Sequence, residues 1–106
     1  MRVDVIDVLG PDAGVGERIK DVPISSNKSM IGHTLTAAGA VEAAFTLLTL
    51  QHQRMPPTIN YDIPDPAIPL DVVPNVARDK RLRRAISNSF GFGGQNVCLV
   101  LAQEPA

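Results

Sequence analysis

The sequence is short of cysteine. Its 106 residues hold one, Cys98, which excludes an internal disulfide and a cysteine-based zinc site. A lone thiol suits a reducing compartment, so the cytoplasm is the expected location. An excess of charge is missing too. Ten basic residues face eleven acidic ones, for a net charge of −1, which gives no support for wholesale binding of nucleic acid or a membrane surface. No run of about eighteen apolar residues occurs, so no membrane span is expected. The opening residues carry Asp4 and Asp7 and lack a long apolar core, unlike a secretory leader. Internal repeats and low-complexity tracts are absent. What remains is 44% hydrophobic and 20% charged, an ordinary composition for one small domain or part of a larger one.

The pattern of apolar residues suggests an α/β chain in the order β-β-α-(Pro-rich segment)-β-β. Residues 3–10 alternate apolar and acidic side chains and stop at Gly-Pro, a half-buried strand signal. A turn and polar connector follow, and then "VPISS" (22–26), a brief apolar run suited to a buried strand. Residues 31–51 favour one long helix. Gly39 weakens its middle by about 1 kcal/mol relative to alanine, which suggests close packing there against another backbone. Gly39, Glu42, Thr46 and Thr49 form one narrow stripe. Leu35, Ala38, Val41, Phe45, Leu47, Leu48 and Leu50 cover most of the rest. A helix so apolar belongs inside a large core or an interface, and a chain of this size has few elements to cover it.

Six of the nine prolines lie between residues 54 and 75. Each fixes φ and removes a donor, so this segment must be extended and irregular. The basic stretch "ARDKRLRRA" (77–85) reads as a solvated loop. "AISNSF" and "NVCLVLA" read as two buried strands joined by a loop of hairpin length. That loop, "GFGGQ", holds Gly91, Gly93 and Gly94, which can take backbone angles that strain other residues. They let backbone N–H groups approach a ligand, while Phe90 and Phe92 add bulk able to close over a pocket.

Lys28 and His33 stand five residues apart in "SSNKSMIGH". A lysine among serines is ordinarily a surface charge. If buried, it needs a carboxylate, and Glu42 is the only one on the apolar helix. A histidine at a helix start faces the positive end of the dipole. A neutral ring with its proton on Nε2 can donate to a carbonyl oxygen and stabilise an enolate. Taken alone, His33 is as readily a capping or buried structural histidine. His52, at the helix end, reads as structural, and Cys98 as a small core residue.

"SSNKSMIGH", "AAGAVEAAF", "PPTINYDIPDP", "LDVVPN" and "NSFGFGGQN" occur in that order. Together they resemble the C-terminal part of β-ketoacyl-[acyl-carrier-protein] synthases, most closely the type II synthase of fatty acid elongation. The resemblance covers residues from about 23 to 103, which divides the chain into a divergent segment (1–22) and a synthase segment (23–106). It implies part of a thiolase-like fold, the last strands and one buried helix of its second half, within what is usually a homodimer. It also implies decarboxylative condensation of an acyl thioester with malonyl on acyl carrier protein, and no metal or other cofactor. His33 matches the second of two histidines that polarise the malonyl thioester carbonyl. Lys28 matches the active-site lysine, and Glu42 the glutamate paired with it. Phe92 matches the residue whose backbone N–H helps form the oxyanion hole and whose ring gates the acyl pocket. Asn88, Phe90, Gly91, Gly93 and Gly94 belong to the same loop motif.

Three departures stand beside the match. The glycine-rich motif around the family's nucleophilic cysteine is absent, and Cys98 is not at its position. No histidine precedes His33, so the first catalytic histidine is missing. Thr36 stands where many members have glycine. The chain therefore carries one of three catalytic side chains and is expected to be inactive alone. The alternative is a non-catalytic module that pairs with a synthase half or with acyl carrier protein. A hydrolase built on Cys98 and His33 is the weakest reading, since a thiol in an apolar strand is poorly placed to ionise.

Overall fold

A computed structural model describes residues 21–104 of the chain. The strand expected over residues 3–10 lies outside the described residues, as does nearly all of the connector after it. The described elements run α1 (Lys28–Ile31), a 3-10 turn (Leu35–Ala37), α2 (Ala38–His52), β1 (Arg54–Met55), β2 (Arg78–Asp79), β3 (Arg84–Phe90) and β4 (Asn96–Ala102). Strands β3 and β4 form an antiparallel hairpin, with Arg84 opposite Ala102 and Phe90 opposite Asn96. The short β1 and β2 form a second antiparallel pair. Helix α2 packs on the hairpin. The α/β class and the terminal hairpin agree with the sequence reading.

Residues 22–26 do not form a strand. Val22, Ile24 and Ser25 are nonetheless buried. Their neighbour, however, is the proline-rich segment, which offers few N–H donors for a ladder. One backbone bond, from Ile24 N–H to the Asp71 carbonyl, is made at 2.7 Å. Hydroxyl groups supply the rest. Ser25 Oγ donates to the Pro56 carbonyl at 2.6 Å, and Ser26 N–H donates to Thr58 Oγ1 at 3.1 Å. The segment expected to be irregular, 54–75, is not wholly so: Arg54–Met55, ahead of its prolines, form β1, and the rest is irregular apart from an isolated bridge between Thr58 and Pro74.

The single helix expected over 31–51 is broken. α1 stops at Ile31, and α2 begins only at Ala38. Between them Gly32 adopts φ 76° and ψ −176°, a region open essentially to glycine alone. Leu35 adopts φ 53°. Neither angle continues a right-handed helix.

α2 faces opposite to a surface helix. Glu42, Thr46 and Thr49 of the polar stripe are buried, while Leu47 and Leu48 are about half exposed, at 54% and 48%. The stripe can be buried because its polar atoms are satisfied. Thr46 Oγ1 donates to the Glu42 carbonyl and Thr49 Oγ1 to the Phe45 carbonyl, each at 2.8 Å. This is the i−4 back-bonding of helical threonine. Glu42 is met by Lys28. Gly39 makes no tight backbone approach. A Cβ there would lie 3.4 Å from Ser89 Oγ, an ordinary contact with a side chain.

Leu50, Met55, Val73, Leu82 and Ala85 form the core, with Leu101 against it. Leu82 corrects the reading of 77–85 as a solvated loop: it is fully buried, and Arg78–Asp79 pair with β1. β4 forms as expected but is not buried. Val97, Leu99 and Val100 are exposed, and so is Cys98; among the described residues β4 has β3 as its one partner strand.

The Arg78 guanidinium grips Asp71 with two bonds, Nη1 to Oδ2 at 2.5 Å and Nη2 to Oδ1 at 3.1 Å. These bonds hold the Asp71 carboxyl below its ordinary 3.8 against a smaller opposing effect of burial, helped by the Val73 N–H. The pair fastens the proline-rich segment to β2.

Candidate functional site

His33 sits in the bend between α1 and the 3-10 turn. Its Nδ1 accepts the Leu35 backbone N–H at 2.9 Å. A ring nitrogen that accepts carries no proton, so the neutral ring has its proton on Nε2. This is the tautomer that can donate to a carbonyl oxygen. His33 is not at the first turn of α2, as the sequence suggested. The break at Gly32 sets it five residues before that helix begins.

Lys28 and Glu42 come together as expected. Lys28 Nζ donates to Glu42 Oε1, and the two side chains are only 15% and 5% exposed. A buried carboxylate without a cation would cost several kcal/mol. The pair joins α1 to α2 across the bend and so spans the segment that carries His33.

The loop from the hairpin closes one side of a groove of about 450 Å³. His33, Leu35 and Thr36 line one part of it and Phe90, Gly91 and Phe92 another, with Gly39 and Ser89 between. The lining is mostly apolar. The structure thus brings His33 to the loop residues that the sequence singled out. Phe92 is 98% exposed at this groove. The loop is tied by Gly91 N–H to the Gln95 carbonyl at 2.6 Å and by Gly94 N–H to the Gly91 carbonyl at 3.1 Å. Of its glycines only Gly94, at φ 84°, lies in the left-handed region. A Cβ on Gly91 would meet the movable end of Gln95, and one on Gly93 makes ordinary contacts. Gly93, Gly94 and Asn88 do not line the groove; Asn88 pairs with Cys98 within the hairpin.

Sequence reasoning missed Leu35, Ser89 and Gln95 as site residues. Ser89 lies two residues from the buried Ser87 along β3, so strand alternation could have placed it. Nothing in a leucine's identity signals a left-handed backbone. Among the described residues, no group of three or more His, Cys, Asp or Glu side chains gathers as a metal site, and no helix is long and apolar enough to cross a membrane.

Helix α2 on the β3–β4 hairpin is a small α/β arrangement, and the solved structures that superpose on it are ketosynthases of thiolase-like fold. The chain belongs to the β-ketoacyl synthase family: residues 4–62 match its C-terminal domain, a match that runs across position 22. A 3-oxoacyl-[acyl-carrier-protein] synthase 2 from Vibrio harveyi is 50% identical over 92% of this chain and 24% of its own length. The tetracenomycin polyketide synthase ketoacyl synthase alpha subunit of Streptomyces glaucescens is 51% identical over 84% of this chain and 21% of its own. Among solved structures, a type II PKS acyl-carrier protein in complex with its ketosynthase bound to the hexaketide superposes with TM-score 0.80. It is 40% identical, covering 83% of this chain and 22% of that one. The ishigamide ketosynthase/chain length factor gives 0.73 at 42% identity, over 76% and 20%. The chain spans about a quarter of the length of these relatives or less.

Proposed function

We propose that the chain supplies the C-terminal part of a 3-oxoacyl-[acyl-carrier-protein] synthase, which condenses an acyl thioester with malonyl on acyl carrier protein. The observation that carries this reading is the meeting of His33 with Phe90, Gly91 and Phe92 along one groove. His33 Nε2–H donates to the malonyl thioester oxygen as negative charge develops there. The Phe92 backbone N–H stabilises the oxyanion when the carbanion attacks the acyl group, and the exposed Phe92 ring gates the acyl chain. Lys28 and Glu42 hold the bend in place from both sides.

The sequence's one cysteine, Cys98, lies on β4 and does not line the groove. Its one other histidine, His52, ends α2. The acyl-accepting cysteine and a second polarising histidine are therefore not provided by these 106 residues, and the chain alone does not condense. Acyl carrier protein delivers the substrates, the complete catalyst is a homodimer, and it works in the cytoplasm. Two preparations test this: the isolated chain, and a graft of residues 23–106 into the matching part of the Vibrio harveyi synthase. With acyl and malonyl carrier protein, the graft forms 3-oxoacyl product and the isolated chain forms none. A graft that folds but makes no product contradicts the proposal.

The exposed apolar faces of α2 and β4 favour a second reading, a non-catalytic module that pairs with a synthase half. Under that reading the isolated chain binds the remaining part of the Vibrio harveyi synthase, while the folded graft stays inactive.

A further inference from the structure

The loop that closes the groove holds three glycines, and its backbone explains only one of them. Gly91 and Gln95 face each other at the mouth of the turn. The Gly91 N–H donates to the Gln95 carbonyl at 2.6 Å, and the Gly94 N–H donates to the Gly91 carbonyl at 3.1 Å. A three-residue connection of this kind ends on a left-handed residue, and Gly94, at φ 84°, supplies it. Gly91 and Gly93 are not at positive φ, so the turn itself would admit a side chain at either. Space resists one at Gly91. A Cβ there would stand 2.7 Å from Gln95 Oε1 and 3.4 Å from Gln95 Cβ. A Cβ on Gly93 would stand 3.6 Å from both Gln95 Cδ and Gln95 Nε2. The Gln95 carboxamide therefore lies against the bare backbone of the two glycines that flank Phe92. Gln95 also lines the groove with His33, Gly91 and Phe92.

We infer that Gln95 is a positioning residue of the groove: its side chain, folded back onto Gly91 and Gly93, braces the loop that carries Phe92. Glycine at 91 serves this by leaving room for the carboxamide, not by lending a special backbone angle. The Gln95 carbonyl already closes the turn, so one residue holds the loop by both its main chain and its side chain. Removing the side chain opens the space over Gly91 and Gly93, and glycine has more conformational freedom to use such space than any other residue. The bracing concerns this chain alone. Its effect on catalysis rests on the condensing function proposed above.

The test is nuclear magnetic resonance of the 15N-labelled 106-residue chain. Nuclear Overhauser contacts from the Gln95 side-chain amide protons to the Hα protons of Gly91 and Gly93 read the packing directly. Backbone 15N relaxation reads the order of the loop. The wild type should show those contacts and a Phe92 order parameter near the rigid value of about 0.85. Gln95→Ala should lower it below about 0.6 while the amides of β3 and β4 keep theirs. Gln95→Glu preserves the side chain's shape and should keep Phe92 ordered. Absence of the contacts in the wild type overturns the inference whether or not any variant folds. An undiminished Phe92 order parameter in Gln95→Ala also overturns it, as does a loss shared by the whole hairpin or a Gln95→Glu loop as loose as that of Gln95→Ala. None of these readouts depends on condensation, so failure of the proposed function leaves them standing and is separately visible.

Discussion

Gln53 holds Leu82 by both of its backbone groups. Gln53 Oε1 accepts the Leu82 N–H at 2.6 Å, and Gln53 Nε2 donates to the Leu82 carbonyl at 2.9 Å and to the Leu50 carbonyl at 2.6 Å. The Gln53 carbonyl also accepts the Lys80 N–H at 3.1 Å. Gln53 ends α2 in the left-handed conformation, and its N–H closes the last turn on the Thr49 carbonyl. One residue therefore caps the helix and pins the basic segment, with Leu82 driven into the core and Lys80, Arg81, Arg83 and Arg84 left outside. Gln53→Ala leaves partly buried backbone groups of Leu82 unpaired and should cost about 2–3 kcal/mol. Gln53→Glu keeps the acceptor and loses the donors. Urea unfolding of the three proteins should rank wild type first and Gln53→Ala last.

The Lys28–Glu42 pair should behave as a unit. Glu42→Ala leaves a nearly buried ammonium without its carboxylate and should destabilise by about 3–5 kcal/mol. The double change Lys28→Met, Glu42→Leu removes both charges and should cost less than either single truncation. A double-mutant cycle in urea checks this. Additive losses would mean that the two side chains do not share their burial.

The Asp71–Arg78 bridge sets a small pH dependence at the acid end. Asp71 is held below 3.8 in the folded chain, chiefly by the Arg78 bonds. A lowered carboxyl favours the folded state above the unfolded-state value, and that support is lost as pH falls through the folded one. The bridge is partly exposed, with side-chain exposures of 31% and 44%, so it contributes on the order of 1 kcal/mol or less. The stability gap between wild type and Arg78→Ala should be constant near neutral pH and close below about pH 4. A gap that widens on acidification would contradict the assignment.

Glycines of the site should differ sharply in their tolerance of alanine. Gly39→Ala should be neutral or stabilise by up to about 1 kcal/mol, since the helix gains and Ser89 Oγ lies at contact distance. Gly94→Ala, at φ 84°, should cost about 1–2 kcal/mol. Gly32→Ala should cost about 1–3 kcal/mol and displace the His33 resonances. Thermal midpoints of the three variants test the ranking.

Where the sequence was readable, one physical signal decided the structure. The β-branched and leucine content on either side of a glycine loop of hairpin length pointed to the β3–β4 hairpin. Six prolines marked residues 54–75 as irregular, which holds after β1 ends at Met55. The Lys28–Glu42 pair was implied by the family resemblance; the residues alone made a carboxylate partner necessary only if Lys28 were buried, which it is. Where it was not readable, two signals competed. Composition from Ile31 onward favours helix, and the left-handed backbone at Leu35 overrides it for a reason no propensity scale holds. The sequence marks Glu42, Thr46 and Thr49 as one narrow stripe without fixing which way it faces. It turns inward because each group finds a partner on its own helix or on Lys28. Leu82 sits amid five basic residues, and only its packing against Leu50 and Met55 separates it from a solvated loop.

The most direct test of the account is the condensation rate of the Vibrio harveyi graft with His33 intact and with His33→Ala. Loss of a donor at a developing oxyanion costs about 10²–10³ in kcat, so His33→Ala should fall by that factor while the graft stays folded and keeps accepting the acyl group. An unchanged rate in a folded His33→Ala graft would contradict the assignment of His33 as the donor to the malonyl thioester.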